Sequence, residues 1–304
     1  MSQLAPIALF VFRRPEHLRQ SIESLLRCPE AARSPIFVFA DGPRGQQDEA
    51  AVQETRRVAQ DLLGTRAAYL FSDVNLGLSR SIISGVTQLV NKFGRVIVLE
   101  DDLILNPEFL GFMNSALQQY ADQAQVYQVS GHMFNVPALA QHSDAVFLPI
   151  TTSWGWATWQ RAWQHFDPVA TGWQQLAGDG ALRRSFNMRG CYDYATMLER
   201  QMQGLRDSWA IRWYWTVFKA QGMTVFPPAT LVSNIGQDGS GTHGRGRLRR
   251  FSKLSSMLAG TPIALPDQVK LNEREYQLVC RAVWQQNGGW LGRGASWLRR
   301  LSLR

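Results

Sequence analysis

Three consecutive carboxylates, Glu100-Asp101-Asp102, stand directly after the unbroken apolar run Val96-Ile97-Val98-Leu99. Such a run suits a strand buried on both faces of a parallel sheet, which delivers the carboxylates to its carboxyl edge, where open α/β sheets bind ligands. Two unit charges about 4 Å apart repel by roughly 4 kcal/mol at an effective dielectric of 20, a large cost beside a stability of about 5–15 kcal/mol. A bound cation removes that cost. Ligands that are all oxygen point to a hard ion, Mg²⁺ or Mn²⁺, held by few carboxylates together with substrate phosphates. The other reading of the same residues is a solvated acidic loop capping a strand.

The elements that must position the triplet follow from hydrophobic period. Apolar residues 7–12 read as a first strand, and Pro15 opens a helix carrying Leu18, Ile22, Leu25 and Leu26 on one face. Residues 36–40 form a second strand ending at Asp41-Gly42-Pro43, followed by a helix from about 48 to 63 and a strand at 67–71. After Asn75-Leu76-Gly77, Ser79 caps a helix leading into the strand before the triplet, and Asn106-Pro107-Glu108 starts another that runs to about Tyr120. This βαβαβαβ order predicts an α/β fold with right-handed crossovers and a mostly parallel sheet flanked by helices. Further on, strands are expected at 126–129 and 146–149 and helices near 192–203 and 208–221. Trp156, Trp159 and Trp163 fit one helical face and read as core, which leaves Trp154-Gly155 as the better place for sugar stacking. His132, after the 126–129 strand, is open to a site role or to a satisfied core position.

Composition narrows the function classes. With 304 residues, 45% hydrophobic and 18% charged, the chain is an ordinary globular protein with room for one large core or two smaller ones. No apolar stretch reaches the roughly 20 residues needed to span a bilayer, and no signal-peptide pattern is present, so a cytoplasmic location is expected. Cys28, Cys191 and Cys280 are too few and too scattered for a disulfide framework or a clustered metal site. The net charge of +8 is concentrated: residues 245–304 hold 12 Lys and Arg against 3 Asp and Glu, which leaves the rest near neutral. That argues against a nucleic-acid binder and for a near-neutral domain with a basic appendage.

Asp41 leaves a predicted parallel strand on the same edge as the triplet, with Arg13 and Arg14 after the first strand. A carboxylate there can accept from a base N–H or ribose hydroxyl and the arginines can meet phosphate, or the same residues serve a turn and a solvated face. Together, Arg14, Ala40-Asp41-Gly42, the segment Asn75-Leu76-Gly77-Leu78-Ser79-Arg80, the triplet and Asn106-Pro107-Glu108-Phe109 follow in order and spacing. This set resembles the GT-A glycosyltransferases, most closely the N-acetylglucosaminyltransferases acting on the mannose core of N-glycans (glycosyltransferase family 13) and their bacterial relatives. The resemblance covers about residues 5–245.

The resemblance implies a GT-A, Rossmann-like fold with a nucleotide-sugar across the carboxyl edge. On these residues it implies Asp41 on the uracil or ribose, Arg14 on the nucleotide or diphosphate, Asp102 on a divalent metal, and Glu100 and Asp101 on donor sugar and ribose. Asn75 and Arg80 join the donor-binding set, and Trp154 and Gly155 are placed near donor or acceptor. Alternation along extended backbone puts Glu100 with Asp102 and Asp101 opposite. Arg206-Asp207-Ser208-Trp209 resembles the family's Asp-Asp-Trp segment, with Asp207 as the base that takes the acceptor proton and Ser208 where the family has a second acid. Burial beside Trp209 and Trp213 would be needed to raise its basicity, and a helix-cap role is the alternative. The glycine-rich run 236–243 resembles a loop closing over the diphosphate, with His243 facing phosphate or metal. Its GxGxxG pattern lacks the preceding strand and following apolar helix of a dinucleotide fingerprint.

The domains read as 1–120 for the nucleotide-sugar, 121–245 for the acceptor and catalysis, and 246–304 as a basic extension. In that extension Trp290, Trp297 and Leu298 alternate with arginines, which suits either an anionic membrane surface at the inner face of the plasma membrane or packing on the domain. The expected activity is inverting, metal-dependent sugar transfer, with UDP-N-acetylglucosamine as donor, to a glycan or glycolipid, in bacterial surface polysaccharide synthesis. The rivals are a glycoside hydrolase using a carboxylate pair and a non-enzymatic carbohydrate- or membrane-binding protein whose triplet holds Ca²⁺.

Overall fold

The computed structural model describes residues 3–236 and 263–287. In chain order, β1 (Ile7–Val11), α1 (Pro15–Leu26), β2 (Ile36–Ala40), α2 (Gln46–Leu63), β3 (Ala67–Phe71), α3 (Leu78–Phe93) and β4 (Arg95–Glu100) form the alternating first part. Then come β5 (Leu103–Leu105), α4 (Phe109–Gln119), β6 (Val126–Ser130), β7 (Val146–Leu148), β8 (Trp156–Trp159) and α5 (Gln160–Trp163). The rest is α6 (Gln175–Gly178), α7 (Gly180–Phe186), α8 (Tyr194–Met202), α9 (Trp209–Lys219), β9 (Met223–Phe226), β10 (Val232–Asn234) and α10 (Glu273–Gln286). The large sheet has the order β3-β2-β1-β4-β8-β6-β9-β7. It is parallel from β3 to β4, and β8 enters antiparallel between β4 and β6. A separate antiparallel pair joins β5 to β10. The fold class is the expected one, a mostly parallel sheet flanked by helices.

β4 shows why an unbroken apolar run was needed. Ile97 and Leu99 pack into the core shared with α1 and α4, while Val96 and Val98 face the opposite core of α3 and the tryptophans, so both faces are dry. α1 starts at Pro15 and buries Leu18, Ile22 and Leu25. α3 begins after Gly77 and stops at Gly94, which takes the left-handed conformation that ends many helices.

The tryptophan segment corrects the sequence reading. Residues 156–159 are a strand, and only 160–163 are helical. Trp156 packs with Trp163, Trp209 and Trp213, whereas Trp159 lies in the core on the other side of the sheet. A spacing of three puts two residues on one face of a helix but on opposite faces of a strand. Pairing to β4 and β6 buries all four positions, and that tertiary demand decides between the two. The small β5–β10 sheet was not anticipated, its strands being three residues each.

Residues 263–287 lie beyond the expected boundary near 245 yet pack on the body of the fold. Asp144 bridges Ala264, the Tyr120 hydroxyl donates to the Pro266 carbonyl at 2.8 Å, and Tyr276, Val279 and Val283 of α10 enter the core around α7 to α9. Among the described residues no helix is long and apolar enough to cross a membrane.

Gly155 marks where β8 leaves the site. Its φ is +58°, and a Cβ there would lie 2.9 Å from the Phe109 ring and 3.0 Å from Val232. Gly155→Ala is expected to cost about 2 kcal/mol or more in urea unfolding, through left-handed backbone and overpacking together.

Candidate active site

Register assembles the carboxyl edge. Phe10 of β1 pairs with Glu100 of β4 and Val11 with Ala40 of β2, so Phe12-Arg13-Arg14, Asp41 and the acidic triplet leave the sheet side by side. α1 then fixes the turn after β4. The Ser21 hydroxyl donates to the Leu103 carbonyl at 2.5 Å and accepts from the Leu103 amide at 3.0 Å, while Ser24 accepts from the Leu105 amide at 3.0 Å. Both serines are buried on the apolar face of α1. Sequence reading missed them because a serine on a helix face gives no sign of a partner some eighty residues away.

Arg14 holds the triplet together. Its guanidinium lies 2.5 Å from Asp101 and 2.9 Å from Asp102, and Asp101 also accepts from the Phe12 amide at 3.2 Å. Burial works against the Arg14 charge, but the two aspartates outweigh it and raise its pKa above that of an ordinary arginine. Burial likewise raises Asp101, with Arg14 pulling the other way. Asp101 therefore turns inward to its partners, while Glu100 and Asp102 line the cleft. Burial, followed by the charges of Asp102 and Asp101, pushes the Glu100 carboxyl up to about 8 against the pull of Arg14. Burial thus favours the neutral form of Glu100 more than in an ordinary glutamate.

Asp102 is the carboxylate to which the sequence resemblance gives a metal role. Among the described residues no group of three or more His, Cys, Asp or Glu side chains could form a protein cage. A hard ion would then have to take the other mode, one carboxylate completed by substrate phosphates. Asp102 faces the cleft, and Gly236 closes over it so tightly that a Cβ would sit 2.1 Å from its Oδ2. The β5–β10 pair sets this approach: the Ile235 amide donates to the Asp102 carbonyl at 2.9 Å, and the Asn234 side chain accepts from the Gly236 amide at 2.9 Å. Gly236 opens the glycine-rich run read as closing over the diphosphate, whereas Asn234 is a wall residue that sequence reading missed, although the alternation through Val232-Ser233-Asn234 could have marked a strand.

Asp41 and Asn75 each bond to backbone beside the other rather than to one another. The Asp41 carboxylate accepts from the amides of Gly42, Leu76 and Gly77 at 3.0, 2.7 and 2.9 Å, and the Asn75 side chain donates to the Gly42 carbonyl at 2.7 Å. Both residues clamp the loop before α3 onto the end of β2. Arg80 is exposed on α3 and lies outside the cleft lining. Gly155 lies behind the lining, whereas Trp154 is in it, edge-on to His132 with centroids 4.6 Å apart. His243 falls outside the described residues.

Asp207 lines the cleft at its rim, where its carboxylate comes within 3.8 Å of a Cβ placed on Gly77. Its side chain is 63% exposed and its ion pair with Arg212 spans 3.8 Å, so the expected burial beside Trp209 and Trp213 is not found. Those tryptophans pack into the core beneath it, and the chain stands Asp207 clear of them one residue before the α9 cap. The cap alternative is not found either, because α9 is capped by Ser208 with no side-chain bond. Arg206 is, with Arg14, one of two arginines in the lining, and its Nε is buried without a partner among the described residues. The cleft holds about 580 Å³, within the range of small-molecule sites.

No family model matches the chain, and no curated protein matches it in sequence. Solved structures do align with parts of it. The mannosyltransferase PcManGT from Pyrobaculum calidifontis, in complex with GDP-Man and Mn²⁺, is 13% identical over 52% of this chain and 45% of its own, with a TM-score of 0.34. The galactosyltransferase LgtC, in complex with donor and acceptor sugar analogs, is 11% identical over 73% of each chain at 0.41. Mouse xyloside xylosyltransferase 1 in its apo form is 12% identical over 71% of this chain and 82% of its own at 0.35. The chain thus spans less than half of the mannosyltransferase, and likeness at these scores assigns no function.

Two outcomes follow from the site's charges. Arg14→Gln leaves buried aspartates without their partner and is expected to lower stability by about 3 kcal/mol in urea unfolding at pH 7. Burial drops His132 to about 4, from 6.5 for a free histidine, so between these values the unfolded chain binds the extra proton. The stability owed to a neutral His132 is complete above about pH 6.5 and is lost as pH falls through 4. Between pH 7 and 4 the wild type should lose on the order of 2 kcal/mol more than His132→Gln in the same unfolding assay.

Proposed function

We propose that this chain is a glycosyltransferase that moves a sugar from a nucleotide-diphosphate donor to a hydroxyl of a glycan or glycolipid. The observation that carries the proposal is one cleft at the carboxyl edge of a parallel sheet that brings Arg14, Glu100 and Asp102 together with Asp207, a residue a hundred positions further along the chain. Arg14 orients Asp102, and Glu100 lines the same cleft as a contact for the donor sugar. A divalent ion held by Asp102 and the diphosphate would supply charge neutralisation of the leaving group.

Asp207 is the proposed base. As the acceptor oxygen bonds to the anomeric carbon, its proton passes to the Asp207 carboxylate. The bond from that carbon to the diphosphate oxygen breaks, and its electron pair leaves on the diphosphate. A single displacement inverts the anomeric centre. The exposed position of Asp207 at the rim leaves its carboxylate open to an incoming acceptor hydroxyl. The sequence resemblance extends the proposal to UDP-N-acetylglucosamine as donor, to Mn²⁺ or Mg²⁺, and to bacterial surface polysaccharide assembly. A uridine nucleotide is the first probe.

Calorimetry with UDP and Mn²⁺ separates transfer from the hydrolase and lectin alternatives, which need no nucleotide. Asp102→Asn should weaken Mn²⁺-dependent UDP binding about tenfold or more, whereas Asp207→Asn should retain it and lose turnover of the UDP-sugar by at least about a hundredfold. Unchanged nucleotide affinity in Asp102→Asn would remove that residue from the metal role, and absence of UDP binding in the wild type would defeat a uridine donor.

A further inference from the structure

The cleft is chemically divided. Its ionisable acids and arginines, namely Arg14, Glu100, Asp102, Arg206 and Asp207, belong to the carboxyl edge and the loop before α9. The remaining wall runs from Trp154 through a chain of ring contacts, Trp154 to His132 at 4.6 Å and His132 to Phe134 at 5.4 Å, to Asn135. There the Gln286 side chain of α10 donates to the Asn135 carbonyl at 3.2 Å, which ties the C-terminal helix to this wall. Tyr192 and Tyr194, with ring centroids 4.5 Å apart, and Met197 of α8 complete it. No acid, lysine or arginine lines this arm among the described residues.

We propose that this uncharged arm is a binding site for the neutral sugar unit next to the reacting one in an oligosaccharide acceptor, with α10 as part of its wall. The inference rests on the glycosyl-transfer reading and adds the acceptor's class to it. A phosphate or carboxylate in the arm would lose its hydration with no cation among the described residues to replace it, which suits the arm to neither the donor diphosphate nor an acidic sugar. Aromatic rings beside side-chain amides match a neutral sugar ring, which presents apolar C–H faces to the rings and hydroxyls to Asn135, Gln286 and Asn287. The wall is also preorganised. α10 is capped by Asn272, held by the Arg189–Glu273 ion pair at 2.5 Å and anchored in the core by Tyr276, Val279 and Val283. Contacts remote from the reacting hydroxyl would then contribute to turnover as well as to binding.

The test uses the full chain and a panel of methyl glycosides of neutral monosaccharides, the matching disaccharide methyl glycosides, and octyl glycosides. With a UDP-sugar that the wild type hydrolyses, the disaccharide form of the best acceptor should exceed its monosaccharide form in kcat/KM by about tenfold or more. Tyr192→Ala and Gln286→Ala should each cut that advantage to below about threefold while UDP affinity stays unchanged, and Tyr192→Phe should restore most of it. Disaccharides no better than monosaccharides, an equal gain from octyl glycosides, or variants that weaken UDP binding in step would overturn the proposal. If no donor is bound, the glycosyl-transfer reading fails by itself, and saturation-transfer NMR with the same disaccharides decides the arm separately. Signals in the wild type that Tyr192→Ala abolishes support it, and none in the wild type overturns it.

Discussion

The structure depends on keeping three adjacent carboxylates at the end of a buried strand. Without opposing charge, a dry β4 ending in Glu100, Asp101 and Asp102 would place like charges in a low dielectric at a cost comparable with much of the fold's stability. Arg14 supplies the opposing charge from the start of α1, and the register of β1 against β4 makes that reach possible. The remaining conflict stays on Glu100, whose carboxyl is pushed up by burial and by the two aspartates.

Several features of the surroundings serve this one constraint. Ser21 and Ser24 pin the turn that follows the triplet, so α1 contributes both the counter-charge and the anchor. The β5–β10 pair brings Asn234 and Gly236 over Asp102, and only a glycine leaves room for that approach. Asp41 is spent on the amides of the loop before α3, which in turn stands against Asp207. A residue read as a ligand contact thus also holds the loop against which Asp207 stands. Among the described residues the charged groups of the cleft lie along the edge and the loop before α9, and the far wall is left to rings and amides.

Much of the first half was legible from residue types alone. Runs such as 7–12, 36–40 and 96–99 are apolar without alternation, and the intervening helices repeat with the helical period, so local pattern and global burial agree. The second half was less legible. Trp156, Trp159 and Trp163 satisfy a helical spacing, yet insertion of β8 between β4 and β6 overrides it. The strands β5 and β10 are too short to signal themselves, and α10, though capped by Asn272 and periodic through Tyr276, Val279 and Val283, was hidden inside a segment judged by its charge.

The sequence by itself determined the α/β class, the acidic edge and the order of the residues that could act there, because these rest on period, apolar runs and the positions of strand ends. Tertiary structure decided which of them act on one another. It gave Arg14 to the aspartates, Asp41 to a loop and Asp207 to the open rim in place of a buried pocket, and it brought α10 into the wall of the cleft. Partners that far apart along the chain are chosen by packing and by the need to neutralise buried charge, and neither quantity is a property of any local stretch of residues.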